Sequence, residues 1–215
     1  MESIYEKMAK SVVELDMEKA KSLAQKAVDN HLPLLEVIEK GYGEGIKRVG
    51  DLWDQGEFFL PELMRGAQIM QEAVDIITPH LEESGAKRET KGKVIMATIE
   101  GDIHTIGKTI VATMLKANGF EVLDLGADVK AETIVSEAEK HQVDLIGVSA
   151  LLTTTMMGQK KVIELLEQQG IREKYKVMLG GAPVTSKWVE ECKADAYAEN
   201  AVSAVTIAEQ LLDLS

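Results

Sequence analysis

The hydrophobic residues in the first part of the chain recur every three or four positions, which is the spacing of one face of a helix. One such stripe consists of Ala20, Leu23, Ala24, Ala27 and Val28. Comparable stripes predict a first helix at about 3–15, a second after the capping residue Asp16, a third from Pro33 and a fourth from Pro61. Four helices joined by short loops predict a four-helix bundle.

Short apolar runs alternate with amphipathic stretches from about residue 91 onward. The runs predict strands at 94–99, 121–125, 145–149, 176–179 and 194–198. The amphipathic stretches predict helices at 106–118, 131–141, 156–169, 185–192 and 200–213. This alternation is typical of a parallel sheet with helices on both faces. We therefore predict an α/β fold in which the four-helix bundle precedes a doubly wound, five-stranded parallel sheet of flavodoxin-like order.

The segment at 82–92 is polar and charged and has no apolar period. Such a composition between a helix and a strong strand predicts a domain boundary, with a helical domain at 1–90 and an α/β domain at 91–215. The third predicted helix has an unusual number of glycines, namely Gly41, Gly43, Gly45 and Gly50. Because each glycine in a helix costs up to about 1 kcal/mol relative to alanine, they indicate either close helix packing or room for a bulky neighbour.

The composition of the chain limits the partners and the cellular compartment that we expect for the protein. The formal net charge of −12 argues against nucleic acid or an anionic membrane surface as a partner. No apolar run reaches the roughly 20 residues of a membrane helix, and the first residues lack the basic and then apolar layout of a signal peptide. The one cysteine, Cys192, excludes an internal disulfide and is typical of a reducing compartment. These features predict a cytoplasmic protein.

The end of the first predicted strand carries the strongest candidate site, because open α/β sheets bind ligands outside the carboxyl ends of their strands. The chain there reads Gly101-Asp102-Ile103-His104 and continues through Gly107 into a helix. The other three histidines lie at helix ends, at His31, His80 and His141. Asp102 is placed to accept the Nδ1 proton of His104, which leaves Nε2 as a ligand or a base. Gly107 has no side chain, so a large group can approach the start of the helix.

Other chemistries fit this loop less well, although a lone histidine is often purely structural. A zinc or iron site built by protein alone needs three or four ligands, and no second histidine or cysteine stands at a strand end. The loop does not match the phosphate-binding motif G-x-x-x-x-G-K-[ST], because Gly101 and Gly107-Lys108-Thr109 enclose five residues where the motif has four. A response-regulator receiver needs an acceptor aspartate where the third strand ends in Ser149. One histidine with one orienting acid fits best a metal whose other ligands come from a cofactor.

Three short motifs follow one another at the predicted strand ends. Their residues are Asp102, His104 and Gly107, then Ser149 and Leu151, then Gly180 and Gly181. They resemble the D-x-H-x-x-G, S-x-L and G-G signature of the B12-binding domain family. The helical part resembles the four-helix cap of methyltransferase corrinoid proteins, and the two similarities cover nearly the whole chain. Family members often have aspartate where Thr105 stands and asparagine where Thr109 stands, both outside the signature.

The resemblance implies a corrinoid (cobalamin) cofactor. His104 would replace the cofactor's own lower base and bind cobalt, while Asp102 would hydrogen-bond His104. The detached nucleotide tail would lie in a slot beside Ser149, Leu151, Gly180 and Gly181, with Gly107 leaving space at the helix start. Further candidate contacts on neighbouring strand ends are Gly126, Thr153 and Tyr197. The cap would cover the upper face of the corrinoid with its third helix and the turn at 58–60.

The same resemblance implies a methyl carrier with little catalysis of its own. Such proteins shuttle a methyl group on cobalt between a substrate-specific methyltransferase and a second methyltransferase with a thiol or folate acceptor, and a reductive activase is a further implied partner. The similarity is greatest to the methylamine and quaternary-amine systems of methanogens and acetogens. Two alternatives are the cobalamin-binding component of a mutase, which the helical cap disfavours, and a corrinoid-dependent sensor, which typically carries a DNA-binding module. A further alternative is a flavodoxin-like binding module that holds no corrinoid.

Overall fold

The computed structural model of the protein describes residues 3–83 and 90–214. The chain forms two compact units, Met1–Glu89 and Thr90–Ser215. Residues 84–89 of the predicted linker lie outside the described residues. No helix in the described ranges is both long and apolar enough to span a bilayer.

The first unit contains helices only in its described part. These are α1 (Ile4–Val13), α2 (Met17–Asp29), α3 (Leu34–Glu36), a π-helical segment (Val37–Gly43), α4 (Glu44–Asp54) and α5 (Leu60–Glu83). The α3, π-helical and α4 segments follow one another without a break, so together they form the third predicted helix. Asp16 caps α2 by accepting the amide of Lys19 at 3.0 Å, which confirms the predicted helix start.

Close packing accounts for two of the glycines in this third helix. A Cβ atom built on Gly45 would lie 2.8 Å from the carbonyl oxygen of Ala9, and one built on Gly41 would lie 3.1 Å from the sulfur of Met8. Both contacts are with α1, so side chains at these positions would push the two helices apart. The sequence pattern did not reveal the π-helical segment, because one widened turn hardly disturbs a stripe of apolar residues spaced by three and four.

The second unit alternates strands and helices. Its elements are β1 (Lys93–Thr98), α6 (Ile106–Ala117), β2 (Glu121–Asp124), α7 (Ala131–His141), β3 (Leu145–Ser149), α8 (Met156–Gln168), a 3₁₀ turn (Arg172–Lys174), β4 (Lys176–Gly180), α9 (Ser186–Cys192), β5 (Ala196–Ala198) and α10 (Ala201–Leu211). All strand pairs are parallel and the order is β2-β1-β3-β4-β5, which confirms the predicted flavodoxin-like sheet.

The last strand is shorter than predicted, because its first residues complete the preceding helix. Lys193 adopts a left-handed conformation with φ of 59° and ends α9. The amide of Ala194 then donates to the carbonyl of Val189 at 3.0 Å, so Ala194 belongs to the helix end. Strand β5 begins at Ala196, two residues later than the apolar pattern indicates.

The two faces of the sheet carry different cores, since side chains alternate along each strand. One face packs against α7, α8 and α9 and forms the main hydrophobic core, with large residues such as Ile95, Ile146, Val148, Val177 and Leu179. On the other face, α6 packs against β1 and β2, and α10 packs against α6 and β5. The site described next lies where this second face meets the carboxyl ends of the strands.

Candidate functional site

The loop after β1 is held in shape by its own backbone and by the strand. Gly101 has φ of 82°, a left-handed conformation that glycine adopts without strain. The amide of Asp102 donates to the carbonyl of Ile99 at 3.1 Å and closes the turn. The hydroxyl of Thr98, at the end of β1, donates to the carbonyl of His104 at 2.9 Å. His104 therefore sits between strand and helix with its backbone fixed to β1, and its side chain is 48% exposed.

The carboxylate of Asp102 is fully buried and accepts five hydrogen bonds. Its Oδ1 accepts the backbone amide of His104 at 3.0 Å and lies 2.7 Å from Nδ1 of the His104 ring. Its Oδ2 accepts the amides of Leu151 at 2.7 Å and Leu152 at 3.2 Å, and the hydroxyl of Thr155 at 3.0 Å. One acid thus connects the histidine loop to the turn after β3.

These hydrogen bonds decide the charge of Asp102. Burial acts to raise the pKa of this carboxyl, but the bonds from His104, Leu151 and Thr155 outweigh burial and hold the pKa well below its usual range. An ionised carboxylate can only accept, so Nδ1 of His104 carries the proton in the hydrogen bond that joins them. In the neutral ring Nε2 then presents its lone pair, so this atom is available to a metal in a fixed orientation.

We expect Asp102→Asn to lower the free energy of unfolding by about 2–3 kcal/mol at pH 7, because an amide group turns N–H donors toward other donors. The folded-state pKa of Asp102 lies below the unfolded value of about 3.9, so this carboxylate stabilises the fold above that pH and progressively less below it. Urea unfolding of both proteins at pH 7 and at pH 3 tests this. An equal difference at the two pH values would contradict the assignment.

Large apolar side chains are exposed around the histidine. They are Ile103 and Ile106, which lie beside His104 in the sequence, and Leu151 and Leu152 in the turn after β3. Ile103 is 79% and Ile106 is 76% exposed, which is unusual for isoleucine. Since the amides of Leu151 and Leu152 bind Asp102, their side chains belong to the same surface. Such a patch beside an oriented imidazole suits a large, flat and mainly apolar group.

A row of small residues crosses the carboxyl ends of four strands on the α6 and α10 face of the sheet. Strand register places Thr98, Ser149, Gly180 and Ala198 side by side in this row. No side chain in the row is larger than threonine, and Thr98 and Ser149 each carry a hydroxyl. The helix α10 that packs at β5 buries mainly alanines on its inner face, Ala201, Ala204 and Ala208 among them. The strand ends here therefore carry only small side chains, and of the two hydroxyls that of Thr98 is already bonded to His104.

Glycine is present at Gly181 and at Gly107 for different structural reasons. Gly181 has φ of 126°, and a Cβ atom built there would lie 1.8 Å from the carbonyl oxygen of Ala150, so only glycine fits. A Cβ atom built on Gly107 meets no heavy atom within 4 Å among the described residues, so this position leaves open space at the start of α6. The next residue, Lys108, is buried and ion-paired with Asp124 at the end of β2, which anchors the first turn of α6.

The structure brings most of the predicted site residues together but places Tyr197 apart from them. Thr153 is exposed in the turn between β3 and α8, and it is not among the residues that bind Asp102. Tyr197 pairs with Leu179 and packs against the main core, on the face of the sheet opposite to Ser149. Burial raises the pKa of the Tyr197 phenol. Cofactor contacts of Thr153 and Tyr197 stay predictions.

Three contributing residues were missed by the sequence reasoning. Thr155 and Leu152 bind Asp102 through the hydroxyl and the amide. Gln159 is fully buried and donates from Nε2 to the carbonyls of Val148 at 2.9 Å and Gly180 at 3.0 Å, so it braces the ends of β3 and β4. The run of threonines before α8 was the available signal for Thr155, since threonine is common at helix starts.

Comparison with known families identifies this arrangement. Family models described as the B12 binding domain match residues 92–206 and, with a second model, residues 4–78. The chain belongs to the B12-binding domain family. Because the two models cover both units, the family relationship includes the helical unit as well as the sheet.

Individual relatives agree with this family over nearly the full length. Monomethylamine corrinoid protein 2 of Methanosarcina acetivorans is 46% identical over 208 residues, which is 95% of each chain. Trimethylamine corrinoid protein 2 of the same organism is 45% identical over 204 residues, 95% of this chain and 94% of the relative. The crystal structure of the methanol:cobalamin methyltransferase complex MtaBC from Methanosarcina barkeri superposes with a TM-score of 0.86 at 33% identity, covering 99% of this chain and 80% of that one.

Proposed function

We propose that this protein is a corrinoid carrier that takes a methyl group from a donor-specific methyltransferase and delivers it to a second methyltransferase. One observation supports this above all: a buried, ionised Asp102 holds the half-exposed His104 by Nδ1, which leaves Nε2 for a ligand next to the exposed Ile103. A bound corrinoid supplies cobalt, which accepts and releases the methyl group.

The residues of the site fit a corrinoid part by part. Nε2 of His104 is the protein ligand for cobalt, and Asp102 fixes the ring and raises its strength as a donor. The exposed Ile103 and Ile106 offer an apolar surface to the ring of the cofactor. The row that contains Ser149 and Gly180, with Gly181 and Leu151 beside it and Gly107 at the helix start, receives the nucleotide tail. Among the described residues no three histidine, cysteine or acidic side chains converge as a separate metal site.

The relatives suggest the class of methyl donor. Corrinoid proteins named for monomethylamine and for trimethylamine are 46% and 45% identical to this chain. This near equality favours a methylated amine as a class and does not select one amine. We include in the proposal a donor-specific methyltransferase, a second methyltransferase with a thiol or folate acceptor, a reductive activase and a cytoplasmic location in an organism that performs methanogenesis or acetogenesis.

The alternatives receive no support from these relatives. The two similar proteins named above are corrinoid proteins of methylamine systems, and the structural neighbour is a methyltransferase complex. A mutase component or a corrinoid-dependent sensor is therefore disfavoured.

Uptake and transfer can be tested with the bare protein. We expect it to bind aquacobalamin in a ratio of one to one in an absorption titration. The protein loaded with methylcobalamin should then lose its methyl group to a thiol when the acceptor-side methyltransferase of a methylamine system is added. A bare protein that takes up no corrinoid would contradict the proposal, as would a loaded protein that the methyltransferase leaves methylated while it demethylates a related carrier.

A further inference from the structure

We infer that Asp128, in the connection between β2 and α7, is a positioning residue for His104. Its two hydrogen bonds clamp the backbone on which Asp102 and His104 are carried, and this inference rests on the proposed function of His104 as a ligand. Asp128 belongs to none of the three sequence motifs of the site, and it comes from a different part of the chain.

The clamp holds two successive residues of the histidine loop. Oδ1 of Asp128 accepts the amide of Gly101 at 2.7 Å. The backbone amide of Asp128 donates to the carbonyl of Asp102 at 3.0 Å. One residue therefore satisfies a donor and an acceptor on either side of the Gly101–Asp102 peptide, and the loop cannot shift without breaking one of the two bonds.

The connection that carries Asp128 is itself fixed to the end of β1. The amide of Thr98 donates to the carbonyl of Gly126 at 3.0 Å, and the amide of Val129 donates to the carbonyl of Thr98 at 3.0 Å. Ile99 and Val129 form an isolated parallel bridge. Asp128 thus projects from a segment that is paired with β1 on both sides of it, so the clamp has a rigid base.

The backbone of Asp128 has an uncommon conformation that favours this geometry. Its φ is 56°, in the left-handed region that aspartate and asparagine tolerate better than most residues with a side chain. Gly101, whose amide it binds, also has a positive φ of 82°. At Asp128 this conformation is held by the surrounding contacts, namely its two bonds to the histidine loop and the pairing of its neighbours with β1.

The clamp matters for His104 because, apart from the turn bond between the Asp102 amide and the carbonyl of Ile99, the other contacts of the loop hold atoms that follow the Gly101–Asp102 peptide. The side chain of Asp102 is held by the turn after β3, and the carbonyl of His104 is held by Thr98. The Gly101–Asp102 peptide lies before both anchors. A movement there displaces Asp102 and changes the 2.7 Å contact between its Oδ1 and Nδ1 of His104. Ligand geometry tolerates only small errors of this kind.

Substitutions at this one position separate the clamp from general stability. Asp128→Asn keeps an acceptor oxygen and a side chain that tolerates positive φ. Asp128→Gly removes the acceptor but relieves the backbone. Asp213→Gly is the matched control, because Asp213 is an exposed aspartate with φ of 54° near the end of α10. All variants are compared as the full chain, both bare and loaded with cobalamin.

In the bare protein, we expect the Gly101 amide of Asp128→Gly to exchange with solvent at least about tenfold faster by NMR, and the His104 Nδ1 proton signal to weaken. In the loaded protein, the fraction of cobalt that carries a histidine nitrogen should fall in the electron paramagnetic resonance spectrum. Asp128→Asn and Asp213→Gly should match the wild type in all three measurements.

Three results would overturn the inference. The first is that the Gly101 amide of Asp128→Gly exchanges as slowly as in the wild type. The second is that Asp128→Gly keeps the wild-type fraction of histidine-bound cobalt and shows only a lower midpoint of unfolding. The third is an Asp128→Asn variant that behaves like Asp128→Gly. If the wild-type protein takes up no corrinoid, the proposed function fails, and Gly101 exchange and the His104 Nδ1 signal in the bare protein still decide whether the clamp exists.

Discussion

The variant His104→Ala is expected to lose the histidine nitrogen from the cobalt of a bound corrinoid and to bind the corrinoid on the order of 100-fold more weakly. The ring of His104 is the one imidazole that the buried Asp102 orients, and alanine provides no ligand in its place. The fold should persist, because the Asp102 carboxylate keeps its bonds to the backbone amide at position 104 and to Leu151, Leu152 and Thr155.

Electron paramagnetic resonance of the cob(II) form distinguishes this ligand from the cofactor's own base. In protein labelled with nitrogen-15 only in histidine, a histidine ligand splits the cobalt lines into doublets, whereas the cofactor's nitrogen-14 gives triplets. Wild-type protein should show doublets and His104→Ala should not. Added imidazole labelled in the same way should restore the doublets in the variant, because the vacated position is exposed.

His141→Ala is the matched control, since His141 is 44% exposed at the end of α7 and pairs with Glu137 at 3.2 Å. Its spectrum should equal that of the wild type. Triplets in the wild type and in both variants would mean that the cofactor's base holds the cobalt, and the assignment of His104 as ligand would then be wrong.

The second large effect is on stability: Gly181→Ala is expected to lower the free energy of unfolding by about 4 kcal/mol. The added Cβ atom would lie 1.8 Å from the carbonyl oxygen of Ala150, which is a backbone atom in the turn after β3 and cannot move aside. Alanine also pays conformational strain at φ of 126°. Urea unfolding of the bare chain, followed by circular dichroism, measures the change.

Gly107→Ala provides the comparison for this stability measurement. Nothing among the described residues lies within 4 Å of a Cβ atom at Gly107, and the residue is in the first turn of α6. Alanine there should leave the free energy of unfolding unchanged or raise it by up to about 1 kcal/mol. Equal destabilisation by the two substitutions would show that the close approach of Gly181 to Ala150 is not the cause.

The arrangement of the strands and the position of the histidine could be predicted from the sequence, because both follow from local sequence patterns. Alternating strands and helices predict a parallel sheet, and the carboxyl ends of parallel strands meet at one edge. His104 and Asp102 are two residues apart, so their contact needs only the local turn. The proximity of Ser149 to Thr98 follows from strand order alone.

The bonds that tune the acid could be seen only in the tertiary structure. The amides of Leu151 and Leu152 and the hydroxyl of Thr155 reach Asp102 across about 50 residues of chain, and their approach depends on how the turn after β3 folds back over β1. Backbone donors carry no sequence signal, since every residue except proline has an amide. For the same reason, the bond from the Gly101 amide to Asp128 could not be predicted from the sequence.

Tyr197 shows the limit of strand-end reasoning most clearly. Its place at the end of the last strand follows from the sequence, but side chains alternate between the faces of a sheet, and register with Leu179 puts Tyr197 on the main-core side. The sequence by itself determined the α/β class, the order of the elements and the histidine with its acid. Tertiary packing decided the three bonds that this acid accepts from the turn after β3, the face on which each strand-end residue lies and the clamp on the histidine loop, because these depend on contacts between segments that are distant in the chain.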